Sequence, residues 1–368
     1  MTIGIVGAGQ LGRMMALAGY PLGFDFLFLD KDAGTPGGQV APLLAGELAD
    51  RELLGQLSRR CSVVTFDWEN IPVASLEDLP GAARISPPLR ALAAAQDRLT
   101  EKRTFELLGI PTTRYAAVDS RESLEMAVKS IGLPGVLKTR RLGYDGKGQF
   151  VLRKPADLDA AWHALGSAPL LYENLVPFDA EVSVIAVRGL GGEVVFYPLN
   201  LNVHREGILR LTRAPYGSPA LTRQAQRAAR RLLDHFKYVG VLTIEFFVRR
   251  GKLIANEMAP RVHNSGHWTI EGAETSQFEN HVRAIAGLPL GSPRARGHSA
   301  MINLVGQMPT RELLLREAGL HWHDYGKSAR PGRKLGHLTI CETSAQSRNR
   351  RALRVLSRVD RETWLAVR

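Results

Sequence analysis

The 368-residue sequence predicts an α/β unit with a doubly wound parallel sheet, then a larger α+β body, then a small C-terminal unit. Three observations carry this. Short apolar strands alternate with helical stretches up to about residue 90, the mark of a parallel sheet covered by helices. From about residue 112 longer strands follow one another in the manner of an antiparallel sheet, and after about 297 two strands and a terminal helix close the chain.

In order, residues 3–7, 24–30, 62–66 and 84–86 read as the first sheet, with a helix over 14–22. Residues 90–108 read as one long helix stopped by Gly109 and Pro111. A strand at 114–118, a helix at 121–131 and a strand at 136–138 lead into a glycine-rich loop. Antiparallel candidates follow at 151–153, 170–174, 181–187, 194–201 and 208–212. A helix over about 222–236 places Ala225, Ala228, Leu232 and Phe236 near one face. Residues 241–248 and 253–257 form a hairpin, and 301–305 and 338–341 are the last strands.

Hydrophobic residues make up 45% and charged residues 23%, which excludes a disordered or collagen-like chain. No apolar run approaches the ~20 residues of a membrane span, and the N-terminus enters a strand at once without a signal-peptide pattern. Cys61 and Cys341 belong to no metal-ligand spacing, so a reduced, cytoplasmic setting without structural zinc is expected. The net charge is +12, and 38 of the 48 positive residues are arginines dispersed along the chain. Dispersion argues for anionic small molecules over nucleic acid, and no membrane partner is expected.

Residues 7–12, Gly-Ala-Gly-Gln-Leu-Gly, follow a strand and open a helix, with Asp30 ending the next strand. That spacing suits a dinucleotide pyrophosphate and ribose, and equally the bare turn any doubly wound sheet needs. Residues 138–149 place three glycines among Lys138, Arg140, Arg141 and Lys147 between two strands, a lid for polyphosphate. A three-residue turn at 250–252 sets Glu245 opposite Glu257. Two facing carboxylates repel unless a hard cation such as Mg²⁺ lies between them. Arg261 shares the parity of Glu257, and residues 260–268 form a donor-rich loop in which His263 and His267 lack the other ligands of a zinc site. Residues 330–337 form a second cationic turn.

Together the stretches GAGQLGRM, ENIP, DRLTEK, KTRRLGYDGKGQ, YENLVPFDAEVS, IEFFV, NEMAPRVHNSGHWT and RPGRKLGH resemble the N5-carboxyaminoimidazole ribonucleotide synthetases, an ATP-grasp ligase family of purine biosynthesis. The resemblance runs to about residue 340 and implies an ATP-grasp fold. It divides the chain into a Rossmann-like preATP-grasp domain (1–98), an ATP-grasp domain (99–297, lid about 112–172) and a small C-terminal domain (298–368). It implies that ATP and bicarbonate form carboxyphosphate, whose carboxyl passes to 5-aminoimidazole ribonucleotide with release of ADP and phosphate, using Mg²⁺, without biotin, in a homodimer.

By the same resemblance Arg98 and Lys138 meet nucleotide phosphates, with Gly143, Tyr144, Asp145, Gly146, Lys147, Gly148 and Gln149 as the loop above them. Glu173, Asn174, Leu175 and Val176 line the adenine pocket, Glu181 meets the ribose hydroxyls, His204 lies near the nucleotide, and Asn256 and Glu257 also bind ATP. Glu245 and Glu257 are the metal carboxylates, and Arg261, His263, Asn264 and Lys334 the catalytic group. Gln10, Leu11, Glu69, Tyr144, Asp145, Arg333 and Lys334 lie where the ribonucleotide binds. Ala259 departs from many ATP-grasp chains, which carry a metal-binding Asn there, leaving more of the metal shell to phosphate and water.

Overall fold

The computed structural model describes residues 1–77, 79, 83–143 and 146–368. Its N-terminal sheet is parallel, ordered Leu43–Ala45, Asp25–Asp30, Thr2–Val6, Val63–Phe66, Arg84–Ile85. Strand order reverses at Thr2–Val6, which opens a crevice beyond its C-terminal end. The strands are apolar on both sides because both are covered. Ile3, Ile5, Phe26 and Phe28 pack with Leu11, Met14 and Met15 of helix Gln10–Gly19, and Val6, Leu27, Leu29 and Val64 with Leu54 and Leu57 of helix Arg51–Arg60. The latter helix escapes the sequence reading, although Asp50 caps it by accepting from the amides of Glu52 and Leu53 at 2.9 and 3.1 Å.

The single helix expected over 90–108 is two, Leu89–Gln96 and Arg98–Leu107. Asp97 makes the break: its carboxylate caps the second helix through the amides of Leu99 and Thr100 and binds Arg140 at 2.7 Å. Beyond it lies an antiparallel sheet ordered Tyr115–Val118, Leu170–Asn174, Gly135–Thr139, Gln149–Leu152.

The largest sheet is antiparallel and runs Lys252–Ala259, Gly240–Arg249, Ala180–Arg188, Asn200–Arg205, Ile208–Ala214, His298–Val305, Lys334–Glu342, Leu320–Asp324, with Val194–Phe196 paired beside Ala180–Arg188. The last three strands along this order therefore continue the sheet of the middle segment. The expected strand 194–201 is divided because Tyr197 and Leu199 turn into the core and Pro198 has no N–H for the ladder. Leu320–Asp324 went unseen because Leu-His-Trp-His-Asp carries no apolar alternation. Helix Pro219–Phe236 is capped by Ser218 and buries Leu221, Ala225, Ala229, Leu232, Leu233 and Phe236 against this sheet, each large side chain contributing about 1.5–3 kcal/mol.

Helix Gln277–Ala286, also absent from the sequence reading, packs between helix Gln10–Gly19 and the largest sheet. Its His281 ties the two sheets together, bonding Thr65 at 2.9 Å and accepting from the Val241 amide at 3.1 Å. Two helices, Ala345–Val359 and Arg361–Val367, end the chain where one was expected. Among the described residues no helix is long and apolar enough to cross a membrane.

Candidate active site

The glycine turn is already filled by the protein's own carboxylates. Asp67 accepts from the Gly12 amide at 3.2 Å and lies so close that a Cβ on Gly7, whose φ is +87°, would come within 2.1 Å of it. Asp30 accepts from the amides of Ala8 (2.6 Å) and Lys31 (2.7 Å). Burial pushes the Asp67 carboxyl up to about 6 against the pull of the Gly12 and Gly9 amides. A pyrophosphate needs those donors and a ribose needs that acid, so the dinucleotide alternative falls. Leu11 lies in the core, leaving only its main chain to a ligand, while the Gln10 carbonyl accepts from Lys327.

The carboxylate pair is where the sequence places it, reached by another route. The hairpin turns on two residues, Arg250 and Gly251, both at positive φ (49° and 72°), which alone would set Glu245 against Asn256. A β-bulge between the pairings of Phe246 and Glu245 takes up Asn256 and restores Glu245 opposite Glu257. Burial and the charge of Glu257 push the Glu245 carboxyl up; burial acts on Glu257 too, but Arg98, Lys138 and His204 hold it below the usual range. Arg98 reaches Glu257 at 3.4 Å. Two register-paired carboxylates, one destabilised by the other, form a donor set suited to a hard cation. No group of three or more protein ligands occurs among the described residues, so such an ion would complete its shell with water or phosphate oxygen.

Beside this pair Lys138 and Lys102 grip the two oxygens of the buried Glu173 at 3.1 and 3.2 Å, and Thr113 donates to it at 2.6 Å. Burial opposes ionisation, yet the two ammonium groups hold Glu173 far below the normal carboxylate range. Its side chain is thus spent on positioning Lys138. Lys102 also binds the carbonyl of Asn256 at 2.8 Å, anchoring the bulge; no spacing rule marks it in the sequence. Asn174 is occupied with the Arg114 amide (2.8 Å), whereas Leu175 is partly exposed and Val176 buried. Gly143 accepts from Arg98 at 3.5 Å. Gly146 and Gly148 hold φ of 77° and 69°, and Lys147 and Gln149 lie beside them, Gln149 paired with Lys138. Tyr144 and Asp145 lie outside the described residues.

His204 bonds Glu181 from the adjacent strand. Burial disfavours its imidazolium, but the Glu181 bond and the charges of Glu245 and Glu257 prevail and lift its pKa to about 9. The folded value exceeds that of free histidine, ~6.5. The pair's stabilisation is therefore complete below about pH 6.5 and is lost as pH rises through about 9. Glu181→Gln should lower the His204 midpoint, followed by NMR, from about 9; an unmoved midpoint contradicts the pairing.

Arg261 is pinned by Glu69 and by the Val262 carbonyl at 2.9 Å. The His263 main chain is clamped by the Gln277 amide at 3.0 and 2.6 Å. Its Nδ1 accepts from the Ser265 amide at 3.2 Å, so Nε2 carries the proton and faces Glu245 at 3.7 Å. Burial, reinforced by Arg261 and Lys334, keeps this ring neutral. Asn264 adjoins it on the turn Asn264–Gly266. From the far end of the chain Lys334 opens strand Lys334–Glu342, and Arg333 folds back onto Ser328 at 2.8 Å. Lys327, missed in the sequence although it precedes the cationic turn, is lowered to about 8 by burial and by Arg333, Lys334 and Arg330.

The N5-carboxyaminoimidazole ribonucleotide synthase of Pseudomonas aeruginosa is 50% identical over 340 residues, 92% of this chain and 94% of its own. The chain belongs to the N5-carboxyaminoimidazole ribonucleotide synthase family. Family profiles match in three stretches: a ribonucleotide synthetase preATP-grasp domain at 1–96, an ATP-grasp domain at 103–278, and a phosphoribosylaminoimidazole carboxylase C-terminal domain at 299–351. Among solved N5-carboxyaminoimidazole ribonucleotide synthases, that of Thermus thermophilus superposes with a TM-score of 0.93 at 50% identity, covering 97% of this chain and 98% of its own. That of Aspergillus clavatus, in complex with ADP and 5-aminoimidazole ribonucleotide, gives 0.90 at 31% identity, covering 98% of each chain.

Proposed function

We propose that the chain carboxylates 5-aminoimidazole ribonucleotide with bicarbonate at the expense of ATP, forming N5-carboxyaminoimidazole ribonucleotide, ADP and phosphate. The observation that carries this reading is the Glu245–Glu257 pair, set between the Arg98 and Lys138 cations on one side and Arg261, His263 and Lys334 on the other. ATP lies on the first side: Arg98 and Lys138 meet its phosphates, Glu181 and His204 its ribose, and the exposed surface of Leu175 its base. Glu245 and Glu257 hold Mg²⁺, which when bound neutralises phosphate charge. Arg261, immobilised by Glu69, holds bicarbonate, and neutral His263 presents Nε2–H to the transferring phosphoryl oxygens.

A bicarbonate oxygen displaces ADP from the γ-phosphorus to give carboxyphosphate. The exocyclic amine then attacks the carboxyl carbon, phosphate departs, and the amine proton is lost to solvent or phosphate. Carboxyphosphate is labile in water, so the loop at 143–149 acts here as a cover. Gln10, Lys327, Arg333 and Lys334 receive the ribonucleotide with Tyr144 and Asp145. The same reading carries the division at 1–98, 99–297 and 298–368, a homodimer, and a cytoplasmic setting, the last supported by two free cysteines.

The test is ADP release with bicarbonate and the ribonucleotide supplied together or singly. Release above background only when both are present is expected, and equal release without the ribonucleotide overturns the reading. In melting experiments Mg·ATP at 100 times its Kd should stabilise by about 2.7 kcal/mol while NAD(H) does nothing.

A further inference from the structure

We infer that Asn303 is a positioning residue that locks the Asn264 amide, so that substrate meets its carbonyl oxygen and never its NH₂. The role in turnover rests on the proposed function above and on the resemblance that groups Asn264 with Arg261, His263 and Lys334; the lock itself rests on geometry alone.

Asn303 lies on strand His298–Val305, buried and opposite His337. Its Nδ2 donates to the Leu209 carbonyl at 2.9 Å. A backbone carbonyl only accepts, so this bond settles which end of the Asn303 amide is nitrogen. The other Nδ2 proton goes to Asn264 Oδ1 at 2.7 Å, and Asn303 Oδ1 accepts from Asn264 Nδ2 at 3.1 Å. Orientation is thereby passed from the Leu209 main chain to Asn264. The remaining Asn264 Nδ2 proton points at His267 Nδ1, 2.9 Å away. His267 must accept there, so it carries its proton on Nε2.

Nε2 of His267 has no partner among the described residues, so its proton there is buried unpaired, a cost the ring bears because Nδ1 must accept from Asn264. Burial, together with the charges of His323, Lys334 and Arg261, keeps this ring neutral. Tyr325 Oη stands 2.8 Å from His337 Nδ1 and 3.3 Å from His267 Nδ1, and His323, bound to Glu271, stacks on His337 at 4.2 Å. His267 is thus walled in and cannot swing away from Asn264.

Both Nδ2 protons of Asn264 are consumed, and its Oδ1 keeps one lone pair free. Asn264 is only half-buried, so that lone pair is what it offers to a ligand. It accepts a proton donor and repels an oxyanion. Of the proposed substrates, the exocyclic amine of the aminoimidazole supplies such an N–H. Asn264 would orient that amine for attack, and the phosphoryl and carboxylate oxygens are left to Arg261, His263 and Lys334.

Two measurements test this. ¹⁵N-histidine NMR of the intact protein should show His267 protonated on Nε2 and bare on Nδ1; an Nδ1–H tautomer overturns the lock whatever the activity. Asn303→Ser should lower ribonucleotide-dependent kcat about tenfold, with KM for ATP within about twofold. In an Asn264→Ala background the same substitution should cost nothing further. Independent, multiplying losses, or unaltered turnover in Asn303→Ser, overturn the positioning role. A wild-type protein with the Nε2–H tautomer but no carboxylation removes the proposed function and with it the task of Asn264, while the lock stands.

Discussion

Glu257→Gln should lower ribonucleotide-dependent ADP release by on the order of 10²–10³-fold while the fold stands, since lost charge stabilisation at a reacting phosphate has that size. The substitution keeps the shape of the side chain and its place in the hairpin register. It removes the charge that Arg98 meets and that Glu245 resists. Because Arg98, Lys138 and His204 hold the Glu257 carboxyl below its usual range, losing its charge lowers the ligand-free melting temperature modestly at neutral pH, while the Glu245 carboxyl becomes easier to ionise. The added stability from Mg·ATP should shrink. Turnover assayed by coupled ADP release decides the matter: a rate near that of the parent enzyme removes Glu257 from the site.

Glu173→Gln acts on stability. It leaves Lys102 and Lys138 buried without the carboxylate they share, and breaking a buried pair in this way costs about 3–5 kcal/mol. The pH dependence has a definite sign. The folded pKa of Glu173 is depressed below the unfolded value of ~4.3. Its contribution is therefore fully present above about pH 4.3 and is lost as pH falls through the lower, folded value. Urea unfolding at neutral pH should show the full deficit in the variant, and only the parent should lose this increment on strong acidification. Adding Lys102→Met to Glu173→Gln should restore part of the stability by removing one stranded cation. Equal unfolding free energies for parent and Glu173→Gln at pH 7 would contradict the arrangement.

The hairpin glutamates were legible because a charge within an apolar strand is conspicuous and β register is arithmetic. The arithmetic succeeded through two departures that cancel, a shorter turn and a bulge at Asn256, neither visible in composition. The glycine turn was equally visible, but what fills it was not. Asp67 lies 55 residues from Gly12, and only the parallel pairing of Thr2–Val6 with Val63–Phe66 brings them together. Lys102 and His281 stayed hidden for the same reason: each is defined by partners on distant elements. Helix Gln277–Ala286 is hard to see in the sequence because its polar face is narrow, Glu279 and Arg283, while the polar Gln277, Asn280 and His281 lie on the buried side. The ribonucleotide positions came from family resemblance, since no spacing rule marks Gln10 or Arg333.

The self-filled glycine turn bears on the order in which the enzyme is made. The first domain spends the Ala8 and Gly12 amides on Asp30 and Asp67, so those two donors are not open to the phosphate of a ribonucleotide. On the proposed assignment that phosphate is met by Lys327, Arg333 and Lys334, more than 300 residues later, with Lys327 reaching back to Gln10. A ribosome-bound chain that has released only its first two segments can already have shaped the nucleotide half of the site. It cannot hold the ribonucleotide until the last strands have joined the sheet.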